Sequence, residues 1–270
     1  MSKRVAVIGF GAIGRSMVEH LTVTPAPEIE LVAVLMRTAQ LSSARQVVPA
    51  QSLVTDMVSE MMAARPDIVV EAAGQAAVAE YGPVVLNRGL ELFVLSIGAF
   101  ADDDLRQRLV GVARSTGTHI SIPPGALAGF DGLLSLQQTG LKSVLYRSIK
   151  PVAAWRDTAA EDYCRLGDLH ESYTFFSGSA RDAAIRFPKN ANLAVAVAIA
   201  GLGLERTQIE LAADPRAKAN IGELFAHTER AVLHVRTSNL GFEANPKSSE
   251  ITGVSVIAAL VNRSAAIRFQ

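Results

Sequence analysis

The chain begins with a short apolar run, Val5-Ala6-Val7-Ile8, then a glycine-rich break from Gly9 to Gly14, then apolar residues at helical spacing from Ser16 to Leu21. That order predicts a strand, a tight turn and a helix. A second strand is predicted over Ile29 to Leu35, after the loop that holds Pro25 and Pro27. Further apolar runs at Ile68 to Val70, Leu92 to Leu95 and His119 to Ile122 are separated by helical patterns near 76–88 and 102–115. Strands that alternate with helices specify a parallel sheet covered on both faces, because each crossover helix packs back onto the sheet. The expected class is α/β, a doubly wound parallel sheet.

Past Pro123 and Pro124 the pattern changes. "PPGALAGFDGLLSL" reads as a glycine-punctuated loop feeding a helix, and strands are predicted at 143–149, 172–177, 206–212, 221–227 and 231–237, the last two as a hairpin. Helices are expected over Ser179 to Arg186 and after "FPKNAN", where Asn190 or Asn192 suits an N-cap. Ser248 or Ser249 is a candidate cap for a last apolar helix, which is expected to return to the first domain, and a short strand is predicted at Ala266 to Phe269. The expected division is 1–123 plus about 243–270 for the α/β domain, and 124–242 for a second, α+β domain.

Composition narrows the partners. With 270 residues, 49% of them apolar, the chain can build a substantial core. Lys and Arg number 26 and so do Asp and Glu, so no basic excess steers it to nucleic acid or an anionic membrane. Cys164 is the single cysteine, which excludes an internal disulfide or a thiolate zinc cluster and suits a reducing compartment. His20, His119 and His170 show no metal-ligand spacing, and no metal site is expected. The first residues are basic and then apolar, but glycines interrupt them at once, which suits a strand better than a leader. The apolar stretch 193–204 falls short of the roughly 20 residues that span a bilayer, so a cytoplasmic protein with no membrane partner is expected.

Gly9-Phe10-Gly11-Ala12-Ile13-Gly14 fits G-x-G-x-x-G between a predicted strand and a predicted helix, the context in which the pattern indicates dinucleotide binding. The first glycine permits the turn, the second admits a pyrophosphate to the backbone, and the third lets helix and strand approach. The helix N-terminus adds N–H donors and a favourable dipole. An acid for the ribose hydroxyls of NAD is missing from the end of the second strand, Val34-Leu35-Met36-Arg37-Thr38. Arg37 could pair with a 2′-phosphate instead, so NADP or NAD is the expected cofactor. Glu71-Ala72-Ala73-Gly74 and Ser96-Ile97-Gly98-Ala99 end two further strands where a cofactor crosses an open sheet, which makes Ala73, Gly74, Ser96 and Gly98 candidates.

The strings "GFGAIG", "VVEAAG", "PPGALAGFDGL", "IKPVAAW", "FSGSARDAAIRFPKNANLAVAVAIAGLGLERTQIELAADP" and "ANPKSSE" together resemble the L-aspartate dehydrogenase family across essentially the whole chain. The resemblance implies a Rossmann-type domain with an α+β catalytic and dimerisation domain, commonly as a homodimer. It implies oxidation of L-aspartate with NAD or NADP to iminosuccinate, which is hydrolysed to oxaloacetate and ammonia or passed on towards NAD biosynthesis; the reverse is a reductive amination. By position it puts Ala126 and Asn192 at the nicotinamide end of the cofactor. Lys189, Asn190 and Lys150 become candidates for the small dicarboxylic substrate or its imine.

One position departs from the family pattern. After "ADP" the family runs to Asn-x-His, its proposed acid/base, whereas this chain reads Asn220-Ile221-Gly222. His227 and His234 lie nearby but do not match the motif. Losing a positioned general base typically costs about 10²- to 10⁴-fold. Three readings follow: an aspartate dehydrogenase in which Lys189, Asp131 or a water handles the proton; an imine reductase or amino-acid dehydrogenase for a related, bulkier substrate; and a cofactor-binding protein without turnover.

Overall fold

The computed structural model describes residues 2–242 and 245–269. In chain order the first part comprises β1 (Lys3–Ile8), α1 (Ala12–Val23), β2 (Ile29–Leu35), α2 (Leu41–Ala44), β3 (Leu53–Thr55), α3 (Val58–Ala63), β4 (Ile68–Glu71), α4 (Gln75–Leu86), β5 (Glu91–Val94), α5 (Asp103–Thr116) and β6 (Ile120–Ser121). The strands form one sheet in the order β3-β2-β1-β4-β5-β6, with every pairing parallel. Helix ends follow local chemistry: the Asp102 carboxylate caps α5 by accepting from the Leu105 amide, and Gly117, at φ +68°, ends it in the left-handed region. The three-residue β3 is too short to show alternation and is not predicted by hydrophobic period.

The second part comprises α6 (Phe130–Gln137), β7 (Ser143–Pro151), β8 (Tyr173–Ser179), α7 (Ala180–Arg186), α8 (Asn192–Ala200), β9 (Gln208–Asp214), β10 (Asn220–His227), β11 (Val232–Asn239), β12 (Gly241–Phe242) and β13 (Asn245–Ser249). Its main sheet runs β11-β10-β7-β9-β8, antiparallel except for β7 with β9. Along β7, Val144, Tyr146, Ser148 and Lys150 face inward and alternate with half-exposed neighbours, the period of a sheet with one covered face. Helix α8 carries five consecutive buried residues from Ala194 to Ala198, as a helix enclosed on all sides does. Trp155 is fully buried; its Nε1 donates to the Ala212 carbonyl at 2.9 Å, and its ring meets Phe175 edge-on at 4.8 Å.

The last helix, α9 (Ile251–Ser264), sends Val256, Ile257 and Leu260 into the same core as Val5, Val7, Met17, Val34, Val70 and Phe93. Arg263 pairs with Glu91 at 2.5 Å. The chain divides into two compact units, 1–123 with 252–270, and 124–251. The boundary lies at 251 rather than near 243 because β13 pairs with β12 inside the second unit. No strand forms at 266–269; the Asn262 side chain instead takes both backbone groups of Phe269, at 3.0 and 2.6 Å. Ser179 caps α7 by accepting from the Asp182 amide at 3.1 Å. The cap position of α8 is held by Ala191, so Asn190 is not a cap.

Truncating the Trp155 side chain leaves a cavity and removes a hydrogen bond to the Ala212 carbonyl, so Trp155→Ala should cost about 3–5 kcal/mol of stability, read as a lower urea midpoint by circular dichroism. A midpoint within error of the parent would show that the aromatic cluster does not hold the second unit together.

Candidate functional site

The turn between β1 and α1 meets each demand of the G-x-G-x-x-G pattern. Gly9 sits at φ +104°, and a Cβ there would lie 2.8 Å from the backbone of Ala72 and Ala73. A Cβ on Gly14 would lie 2.1 Å from the Gly9 carbonyl oxygen. Nothing lies within 4 Å of a Cβ placed on Gly11, so that side is open to a ligand. The two flanking glycines thus serve packing and the middle one serves access. Ala12 and Ile13 open α1 half-exposed, while Phe10 is buried and its carbonyl accepts from Gln40 Nε2 at 3.1 Å. The α1 N-terminus has no side-chain cap, which leaves its amides to a bound anion.

Arg37 lies exposed two residues past the end of β2. Pairing of Leu35 with Thr55 brings the end of β3 alongside, and the Thr38 hydroxyl donates to Asp56 at 2.6 Å. A carboxylate one residue past the neighbouring strand thus lies beside the residues that follow β2, a juxtaposition that linear order does not reveal. At the ends of β4 and β5, Ala73 is exposed and Gly74 stands at φ +132°, whereas Ser96 and Gly98 are buried. The amides of Ala73, Gly74 and Ser96 all point to the Glu71 carboxylate.

In the second unit the Ala126 carbonyl accepts from Thr237 Oγ1 at 2.9 Å and from Asn239 Nδ2 at 2.8 Å. These two β11 residues fix the 124–129 loop. Their i, i+2 spacing on one strand face was the available signal, but only the loop's position gives it meaning. Asn192 is the first residue of α8. Lys189, exposed, and Asn190 line a cavity of about 260 Å³ together with Asp157, Thr158, Arg186 and Phe187. Both polar atoms of the Asn190 side chain are buried without a hydrogen-bond partner, an unfavourable state that a ligand group could relieve. Lys150 is buried rather than on the surface, its Nζ 5.4 Å from the Trp155 ring centre. Asp131 is exposed in the first turn of α6.

Gly222 lies on the covered face of β10, and a Cβ there would meet Leu127 Cδ1 and Thr237 Oγ1 at 3.3 Å and Tyr146 Cε2 at 3.4 Å. A Cβ at this position would therefore be tight, and Leu127 or Thr237 would have to give by a few tenths of an ångström. Burial pushes the Tyr146 hydroxyl up to about 12, against the opposing pull of a Ser148 hydrogen bond, so it stays protonated near neutral pH. His227 is exposed at the end of β10, and His234 stacks on Phe225 at 4.1 Å, which makes it a packing residue. Among the described residues no group of three His, Cys, Asp or Glu could hold a metal, and no helix is long and apolar enough to cross a membrane.

The three glycines should separate on substitution. Gly11→Ala should keep its stability within about 0.5 kcal/mol of the parent yet bind NADH at least tenfold more weakly. Gly14→Ala should lose about 1–3 kcal/mol from overpacking. Thermal unfolding with and without NADH reads both effects, and a Gly11→Ala protein with parental affinity would overturn the assignment of the open side.

Comparison with known proteins agrees with this architecture. The family described as "Homoserine dehydrogenase, NAD binding domain" matches residues 9–123, and "Aspartate dehydrogenase, C-terminal" matches residues 131–263. A relative named L-aspartate dehydrogenase from Brucella anthropi is 38% identical over 98% of this chain and 98% of its own. L-aspartate dehydrogenase 2 from Bordetella bronchiseptica is 39% identical over 96% of each. The crystal structure of aspartate dehydrogenase from Thermotoga maritima shares the fold at a TM-score of 0.78 and 24% identity, with both chains covered completely. A dihydrodipicolinate reductase from Paenisporosarcina is more distant, at a TM-score of 0.54 and 17% identity over 99% and 96% of the chains. A glycine turn built for a dinucleotide, followed by a second unit that matches along its length, places this chain in the L-aspartate dehydrogenase family.

Proposed function

We propose that the protein is an NAD(P)-dependent oxidoreductase of the CH–NH2 group that interconverts L-aspartate with iminosuccinate, and so with oxaloacetate and ammonia. The observation that carries this reading is the 38% identity to an L-aspartate dehydrogenase over 98% of the chain. That match includes the second unit, whereas a dinucleotide turn alone is common to many activities. The match along the second unit favours the aspartate reading over a related substrate. Action in the cytoplasm as a homodimer is proposed from the family resemblance.

The residues divide the work by chemistry. The open side at Gly11 and the uncapped α1 amides suit a pyrophosphate. Arg37 offers a cation for a 2′-phosphate, and Asp56, held by Thr38, offers an acceptor for ribose hydroxyls, so both NADP and NAD should be taken. The nicotinamide ring, when bound, supplies the hydride acceptor or donor. Ala126, in its pinned loop, and Asn192 would hold that end. Lys189 supplies a cation, and the side-chain amide of Asn190 supplies a donor for a carboxylate and an acceptor for the amino or imino N–H, with the buried Lys150 as a second cation. Gly222 brings no proton-transfer group, so Lys189 is proposed for that step, with Asp131 as the other candidate.

The test follows NADH and NADPH oxidation with oxaloacetate, with and without ammonia. Ammonia-dependent oxidation is expected, and its absence in a protein that binds cofactor would overturn the reading in favour of another imine or of binding without turnover. Lys189→Ala should raise the KM for oxaloacetate about tenfold, as expected for one lost charged contact, lower kcat by about 10²-fold or more, as expected for a lost proton-transfer group, and leave the cofactor KM unchanged. Gly222→His should raise kcat by up to about 10²-fold, provided that Leu127 and Thr237, both 3.3 Å from the Cβ position, make room for the imidazole.

A further inference from the structure

Glu71 ends β4, is 1% exposed, and is used by none of the steps above. Its Oε1 accepts from the Ala73 amide at 2.7 Å, the Gly74 amide at 2.8 Å and the Ser96 hydroxyl at 2.8 Å, while its Oε2 accepts from the Ser96 amide at 3.0 Å. One carboxylate thus ties the turn after β4 to the turn after β5. Burial pushes this carboxyl above its ordinary range, and the four hydrogen bonds pull it back only in part. An apolar residue would avoid that cost but would leave three backbone amides unsatisfied. The turn it holds is also the one that Gly9 abuts, since a Cβ on Gly9 would strike Ala72 and Ala73.

In an open parallel sheet of this strand order, a dinucleotide lies across the carboxyl ends of the strands. Its pyrophosphate sits at the turn after the first strand, and its two nucleosides lie on opposite sides of that turn. The side of β4 and β5 takes the nicotinamide riboside. The amides of Ala73, Gly74 and Ser96 are consumed by Glu71, so they cannot act as phosphate donors.

We propose that Glu71 is a positioning residue of the dinucleotide site: its buried carboxylate fixes the β4 and β5 turns in the shape that receives the nicotinamide riboside half, and leaves phosphate recognition to the Gly9–Gly14 turn. The proposal rests on the cofactor reading above, but it is tested by binding rather than turnover. Glu71→Gln is the informative variant. Whichever way its amide turns, an NH2 confronts at least one backbone N–H, so the clasp opens at one turn while the side-chain volume stays the same. The parent and variant are titrated with NADH and NADPH by cofactor fluorescence, and with ADP by calorimetry, and the fold is checked by thermal unfolding.

The expected result is that the variant binds the reduced cofactors about tenfold more weakly, the fold-change of one lost charge-assisted hydrogen bond, while the ADP affinity stays within about twofold. Parental affinity for the reduced cofactors, or an equal loss for ADP, would overturn the proposal. Should Glu71→Gln fail to fold, Ser96→Ala removes only the hydroxyl bond and should weaken the reduced cofactors about threefold with ADP unchanged, in line with one neutral hydrogen bond. Absence of any cofactor binding by the parent would instead refute the cofactor reading itself.

Discussion

The first unit depends on a backbone approach too close for any side chain. The start of α1 can lie against β1 only because Gly14 leaves the Gly9 carbonyl unobstructed, and Gly9 itself lies against the turn after β4. These contacts set the direction of α1, and with it the direction of the unpaired amides and the dipole that attract phosphate. The packing requirement and the binding requirement are therefore met by the same few atoms. Glu71 extends the constraint sideways by fixing the turn that Gly9 touches to the one that begins at Ser96.

The second unit solves a different problem: it must hold short loops still on the covered face of a sheet. It does so by hydrogen bonds from strand side chains to loop carbonyls, as Thr237 and Asn239 do for Ala126, and by close packing, as Val235 does against Gly129, where a Cβ would come within 2.6 Å. A loop carbonyl with two donors has little freedom, so the loop inherits the rigidity of β11. The Lys189-Asn190 segment differs, because the buried Asn190 side-chain amide has no hydrogen-bond partner among the described residues. Gly222, on β10, has Leu127 and Thr237 within 3.3 Å of where a Cβ would lie.

Much of this was legible in the residues. The β1 turn could be read because its glycines are adjacent in sequence and its flanking periods change from strand to helix at once. Long elements such as α5 and β10 announce themselves by period and caps. The three-residue β3 could not, and the strand expected at 266–269 was replaced by an Asn262 clamp that no periodicity encodes. Asn190 looked like a cap because asparagine favours that position, yet Ala191 holds it. Lys150 was named for the substrate by resemblance alone, and it is alternation along β7 that turns it inward, its Nζ 5.4 Å from the Trp155 ring centre.

By itself the sequence determined the α/β class, the dinucleotide turn and the membership of both halves in one family, because those signals are local strings and periods. Only the tertiary structure decided which distant groups meet. Asp56 reaches Thr38 through a strand pairing, Thr237 and Asn239 reach Ala126 across more than a hundred residues, and Glu71 gathers the amides of two turns. It also decided that Leu127, Thr237 and Tyr146 are the neighbours a side chain at Gly222 would meet first. The physical reason is the same in each case: hydrogen bonds and steric contacts act over a few ångströms of space, whatever the separation along the chain.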